Sequence, residues 1–416
     1  MKCPIRILAP LVLFLAASIG AAASPSDLDR DRTPRKSAGR LTAPRAASPV
    51  ALKAFNECAE FNSYLTDVVL ETLIRHKYWW VVRPWFGPER ETGGGDSPTD
   101  YTTTNVQEEG VDELDIVKTD GNYLYIAEND LFAVVQSWPA ADSRLTASLD
   151  LSGAAYGLFL YRDLAVVISN FYDYPDGLVA PEMPWGGTRI ELVDVTDRSA
   201  PTVVRTIEVE GYLAAARLID GHIYAVISSY LDIPYAAWEL IGRDDLGLPE
   251  LDWDAREEER AAAASEARRI LRPLVAGIIG RTGLEELVPL ARDRTAANPD
   301  ASFEPLVGCG DLYRPAETSE YSMLSVLHLD LDVPDPMTSR IDATGLLADG
   351  WTVYASTTNL YVTQSSMWWW WGWGDLEMTT AVHKFELDPS AGNPVRYAAS
   401  GEVEGWLHSQ FSMGEH

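Results

Sequence analysis

Thr104-Asn-Val-Gln-Glu-Glu-Gly-Val-Asp-Glu-Leu-Asp-Ile-Val-Lys-Thr-Asp-Gly-Asn-Tyr-Leu-Tyr-Ile-Ala127 is the stretch from which the rest of the chain can be read. It predicts an acidic turn, a short strand over 115–119, an Asp120-Gly121-Asn122 turn and an alternating strand over 123–127, which together make a hairpin. The downstream chain repeats this pattern. A four-strand unit recurs from Val111 onward, and each copy closes on a glycine: Ser148-Leu-Asp-Leu-Ser-Gly153, Ile207-Glu-Val-Glu-Gly211, Ile341-Asp-Ala-Thr-Gly345 and Gly401-Glu-Val-Glu-Gly405. With the strands of a unit labelled A to D, strand B recurs as Tyr123-Leu-Tyr-Ile-Ala, Ala165-Val-Val-Ile-Ser, Ile223-Tyr-Ala-Val-Ile and Leu360-Tyr-Val-Thr. Strand C recurs at Leu131, Thr188, Ser322 and Thr380, and a turn containing proline comes after each copy. Repeated four-stranded units of this size predict an all-β β-propeller, because each blade needs a neighbour to cover its faces. A β-sandwich would not repeat a closing glycine and a B–C insertion in register. The units fall at about 112–153, 155–211, 212–345 and 346–405, so about four blades are expected, and residues 406–416 read as the start of a fifth.

The opening stretch also resembles the signature of a family of secreted bacterial and archaeal proteins whose C-terminal β-propeller is distantly similar to WD40 repeats. Phe55-Asn-Glu-Cys-Ala-Glu-Phe61 is similar to that family's cysteine-containing helix ahead of the propeller. Cys309-Gly-Asp-Leu-Tyr-Arg-Pro315 is similar to its cysteine segment leading back into the sheet. His383, within Thr380-Ala-Val-His-Lys-Phe385, matches a strand motif and reads as a buried, hydrogen-bonded blade residue. The resemblance covers residues 51–416 and implies no established activity. Family members run on past this point, so the resemblance implies missing downstream blades and a C-terminally truncated chain.

At 416 residues, with 46% hydrophobic and 10% aromatic content, the chain can build a substantial core. Lys2 and Arg6, an apolar run from Ile7 to Ile19 and Ala21-Ala22-Ala23 before Ser24 predict a signal peptide over 1–23 and a secreted or extracytoplasmic mature protein, in the periplasm or at the cell surface. No transmembrane span is expected after cleavage. The formal charge of −29 repels phosphate backbones, which argues against nucleic acid as a partner. Residues 24–50 read as a disordered linker, and 51–100 as an N-terminal helix and then a linker. The propeller then occupies 101–416. Cys58 and Cys309 are the only cysteines left after cleavage, and in an oxidising compartment two cysteines more often pair than stay free. The family match supports the same Cys58–Cys309 disulfide.

Three insertions, over 171–187, about 231–318 and 366–378, all fall at the B–C connection, so one end of the repeat scaffold is elaborated. The second contains Ala255-Arg-Glu-Glu-Glu-Arg-Ala, a helix-favouring run that Pro273 ends or kinks, and 283–292 reads as another short helix. The insertions carry Trp185, Trp238, Trp253, Trp368, Trp369, Trp370, Trp371 and Trp373. Exposed tryptophans rimmed by acidic groups suit a carbohydrate, a peptide or a protein partner, whereas folded over the blade ends they would be an ordinary satellite core. Of these, Trp185, Trp238, Trp368–Trp371 and Trp373 are the candidate ligand-binding residues.

Glu108, Glu109, Asp112, Glu113 and Asp115 crowd the opening motif, but neither this run nor that of Asp330, Asp332 and Asp335 has the spacing of a calcium loop. No cofactor is expected, with Ca²⁺ the weaker alternative to turn capping. No nucleophile elbow, zinc-protease helix or phosphate loop is present in the sequence. The leading expectation is a non-enzymatic binding scaffold. The alternative is an extracellular hydrolase of glycoside type with two positioned carboxylates.

Overall fold

The computed structural model describes residues 51–79, 106–171, 186–252, 254–315, 321–348, 350, 352–366 and 379–415. The chain divides into Met1–Ala46 and Ala47–His416, and every described residue belongs to the second unit. The signal peptide (1–23), the linker (24–50), Trp185, Trp253, Trp368–Trp371 and Trp373 lie outside the described residues.

A two-residue strand, β1 (Lys53–Ala54), precedes helix α1 (Cys58–Tyr78). The helix begins later than the apolar spacing from Ala51 predicts because Lys53 and Ala54 pair with Arg314 and Tyr313 of a returning strand. Next come β2 (Val111–Glu113), β3 (Val117–Thr119), β4 (Tyr123–Gln136) and β5 (Arg144–Tyr161). A straight strand as long as β4 would span about 45 Å. Yet the Ser137 amide donates to the Asn122 carbonyl at 2.8 Å, so β4 is a hairpin. Asn129, at φ 52°, supplies its turn. β3, the two arms of β4 and the first half of β5 thus form one antiparallel meander. The second half of β5 continues with β6 (Leu164–Phe171), β7 (Gly187–Asp194) and β8 (Thr202–Glu210) as another.

A third meander opens with β9 (Tyr212–Ile219) and β10 (His222–Tyr230). The chain then leaves it through α2 (Tyr235–Glu239), α3 (Glu257–Ile279), β11 (Leu290–Thr295), β12 (Glu304–Pro305) and β13 (Leu312–Arg314). It returns as β14 (Ser322–Asp330) and β15 (Ile341–Leu346). β16 (Thr352–Ala355), β17 (Asn359–Ser366), β18 (Thr379–Leu387) and β19 (Val395–Glu404) make the fourth. Residues 406–415, expected to open a fifth unit, form no strand; they hold a 3-10 turn at Gln410–Ser412.

The excursion between β10 and β14 differs from its expected form in two ways. α3 runs through Pro273 to Ile279, because Ala263, Ala267, Leu271, Val275 and Ile279 form one buried ridge against α1. That packing outweighs a proline penalty of about 3 kcal/mol. The second short helix over 283–292 is instead a 3-10 turn, Leu284–Glu286, and then strand β11. β11 forms because the outer edge of β8 offers it a ladder, in which Arg292 pairs with Glu208 and Asp293 with Ile207. β13 likewise covers the outer edge of β15, in parallel, and β1 covers β13.

In the inner strands core residues alternate so that both sheet faces are buried. In β10, Ile223, Ala225 and Ile227 pack with Val166, Ile168 and Ile190 of the second meander. Tyr224 and Val226 pack the other way, with Val353, Val362 and Phe385 of the fourth. Tyr125, Phe132 and Val134 do the same between the first and second, against Leu158 and Val167. The closing glycines mark where the chain crosses between meanders. A Cβ on Gly153 would lie 2.1 Å from the Asn170 carbonyl oxygen, and one on Gly211, at φ 110°, would lie 2.6 Å from that of Ser228. Only glycine lets the chain pass this close.

Candidate functional site

The opening motif is a hub. Val111–Glu113 pairs with β9, and the Leu158 amide of β5 donates to the Asp115 carbonyl at 2.7 Å. Lys118 of β3, 6% exposed, donates to Asp112 at 2.7 Å, to Asp115 at 3.0 Å and to the Glu113 carbonyl at 2.7 Å. The Tyr354 hydroxyl of β16 donates to Glu108 at 2.6 Å. The motif therefore touches the first strand of every meander. Arg217 of β9 lies 3.5 Å from Glu113 and donates to the Gln410 side chain at 2.8 Å, so residues 410–415 are drawn into the same cluster. Burial lowers the pKa of Arg217, and the Glu113 charge opposes that shift. Asp112, Glu113 and Asp115 thus face buried cations.

The elaborated B–C end is built on a disulfide-clamped platform. Cys58 and Cys309 are bonded, with a Cα separation of 5.2 Å. α1 and α3 pack through Phe61, Leu65, Leu73, Ala267 and Leu271, and Arg268 grips Glu71 with contacts of 2.6 and 2.7 Å. Trp238 is half-buried on α2, edge-on to His76 with ring centroids 5.3 Å apart, and packs against this helical core. Among the described residues, Tyr235 of α2 is exposed, and so are aromatic side chains where the excursion leaves and rejoins the sheet. Tyr230 ends β10 at 48% exposed and Tyr321 stands just before β14 at 38%, with rings 5.4 Å apart. Tyr212, 39% exposed, is at the same end, opposite Ser228 of β10. In the sequence these tyrosines read as ordinary strand-end residues. The usable signal is a large aromatic at each strand end flanking an insertion.

Glu210 sits beside this end. Burial pushes its pKa up to about 7, with the Asp232 charge adding to the rise and the Leu290 amide, donating at 3.0 Å, opposing it. Further out on β8, Glu208 is 1% exposed and accepts from Arg189, Arg292 and Arg294 at 2.8, 2.7 and 2.9 Å. Burial drives its pKa upward, but the bonds from Arg189 and Arg292 outweigh burial and hold it below the usual range. This cluster fastens β11 to β8.

Of the histidines, His383 is buried and shares a hydrogen bond of 2.6 Å with Ser400. Burial pulls its pKa down to about 4. His222 and His328, scattered in sequence, come together with ring centroids 5.4 Å apart. Among the described residues no group of three or more His, Cys, Asp or Glu side chains is arranged to hold a metal ion, and no helix is long and apolar enough to cross a membrane.

Two likenesses to known proteins bear on this architecture. The family model described as "Beta propeller domain" matches residues 101–416. A stretch of 157 residues is 27% identical to an uncharacterized protein of Methanocaldococcus jannaschii; it makes up 37% of this chain and 22% of that protein. The chain therefore spans only a minor part of that relative.

Proposed function

The chain belongs to the β-propeller domain family, and we propose that it is an extracytoplasmic binding scaffold that engages a peptide or carbohydrate at its B–C end. We read the four meanders as four blades, with residues 231–318 inserted in the third. The observation that carries the reading is the exposed Tyr230–Tyr321 pair at the root of a disulfide-clamped insertion. Large rings held on rigid strand ends offer apolar area and a polar tip at little entropic cost on binding. The insertion supplies a broad platform beside them, whereas the connections at the other end are short. Export is supported by the N-terminal pattern and agrees with the disulfide. No observation favours the hydrolase alternative.

The test is a glycan and peptide array probed with the purified chain and with the Tyr230→Ala/Tyr321→Ala variant. Reproducible binding that falls at least about ten-fold in the variant, a loss of about 1.4 kcal/mol, supports the reading. Binding unchanged in a folded variant, or no binding by the parent chain, overturns it. N-terminal sequencing of exported protein starting at Ser24 would establish the leader.

A further inference from the structure

A second polar feature lies away from the B–C end, among the short turns. His222 opens β10, His328 and Asp330 close β14, and Asp342 lies in β15. The C–D turns of the third and fourth meanders, including Ser339 and Arg340 on one side and Pro389 and Pro394 on the other, border a cleft of about 330 Å³ together with His328, Asp330 and Asp342, and His222 stands behind His328. That volume is at the lower end of the ~300–1,000 Å³ typical of small-molecule sites and far exceeds the ~30 Å³ of one water.

His328 is 3% exposed, and its Nδ1 has no hydrogen-bond partner among the described residues. Burial, and secondarily the neighbouring His222, pull its pKa down to about 4, so the ring is neutral near pH 7. One of its nitrogens therefore carries hydrogen and the other a lone pair. Its Nε2 lies 3.3 Å from His222 Nδ1, which is itself 3.4 Å from an Asp330 carboxylate oxygen. Asp330 only accepts, and its charge favours the tautomer with the hydrogen on His222 Nδ1, toward Asp330 and His328 Nε2. His328 must then carry its hydrogen on Nδ1, as a buried donor. Facing that donor is Asp342, whose Oδ2 stands 4.0 Å away, too far for a direct bond. The other Asp342 oxygen is held by Arg340 at 2.8 Å.

A group seated between His328 Nδ1–H and Asp342 must accept from the first and donate to the second. An ammonium group donates but cannot accept. A carboxylate accepts but cannot donate, and either a carboxylate or a phosphate would bring negative charge against both Asp330 and Asp342. A hydroxyl does both. We propose that this cleft is a second binding site, which takes a neutral polyhydroxylated ligand, a sugar residue, with one hydroxyl bridging His328 and Asp342. Val333, Pro389 and Pro394 line the cleft and offer apolar surface to the C–H face of a pyranose ring. The site is independent of the proposed role of the B–C end, because no residue is shared.

The experiment is saturation-transfer NMR and calorimetry on the full chain with glucose, galactose, mannose and N-acetylglucosamine, at concentrations up to ~10 mM. The expected result is saturable binding of at least one sugar, weakened about ten-fold or more by Asp342→Ala. His328→Phe, which keeps the ring but removes its donor, should abolish binding; if that buried substitution fails to fold, Asp342→Ala decides alone. No saturable binding of any of the four sugars means that the cleft holds only water and overturns the proposal. So does binding that Asp342→Ala leaves intact.

Discussion

Removing the Cys58–Cys309 bond isolates one contribution to stability that can be worked through in numbers. The bond closes a separation of 251 residues. In the chain-entropy account such a loop is worth up to about 5.5 kcal/mol at 25 °C, and retained denatured-state structure brings the expectation to about 3–5 kcal/mol. The native contacts should survive the loss. α1 stays docked on α3 through Leu65, Leu73 and Leu271, with Arg268–Glu71 and Arg272–Asp67 ion pairs at 2.6 Å beside them. The effect should therefore fall on the unfolded state. With an unfolding entropy of about 2.1 cal/mol/K per residue over the roughly 370 residues of Ala47–His416, Cys58→Ala/Cys309→Ala should lower Tm by about 4–6 °C. Calorimetry of the two single variants and the double variant gives a further check. If the bond itself is responsible, each single variant loses about as much as the double one, the largest non-additivity two sites can show. Additive single losses, or a double variant melting within about 1 °C of the parent, would refute the reasoning.

Two further changes probe buried carboxylates. Glu208→Gln leaves Arg189, Arg292 and Arg294 around a neutral amide and should cost about 3 kcal/mol, read as a lower urea midpoint at unchanged slope. Because the folded pKa of Glu208 is depressed, its contribution is present above the unfolded value and lost as pH falls through the folded one. The parent should thus destabilise on acidification more than the variant. Glu210 has the opposite sign: with a folded pKa of about 7, its stabilising effect is complete below its unfolded value, near 4.5, and is lost as pH rises toward 7. Glu210→Gln should accordingly raise Tm at pH 8 and leave it almost unchanged near pH 4, and equal shifts at both would contradict the assignment.

Much of this fold was legible in the residues. Alternation along Tyr123–Ala127, Ile223–Ile227 and Leu360–Thr363 marked the strands, and the glycines at 153 and 211 marked the crossings. Both signals are local, because a strand of period two buries alternate side chains wherever it sits, and a close backbone approach excludes a Cβ whatever the neighbour. The cysteine pairing was legible for a different reason, since only two cysteines remain beyond the leader and the likeness to a known family named the same pair.

The assignments that failed depended on which distant segment lies alongside. The run over 283–292 carries helix-compatible residues, but the open edge of β8 makes β11 a strand. The acidic opening motif carries no sign of its partners in its own composition, and folding brings Lys118 and Arg217 against it. His222 and His328 stand 106 residues apart, and nothing in the spacing of either announces the other. By itself, then, the sequence determined the alternating strands of the repeated units, which of their faces are apolar and where the chain must turn between them, because propensity and periodicity act over a few residues. Only the tertiary structure decided which carboxylate meets which cation, which edge captures the insertion and which imidazoles stand side by side. Those outcomes depend on burial and on partners brought close by folding, and an isolated segment contains neither.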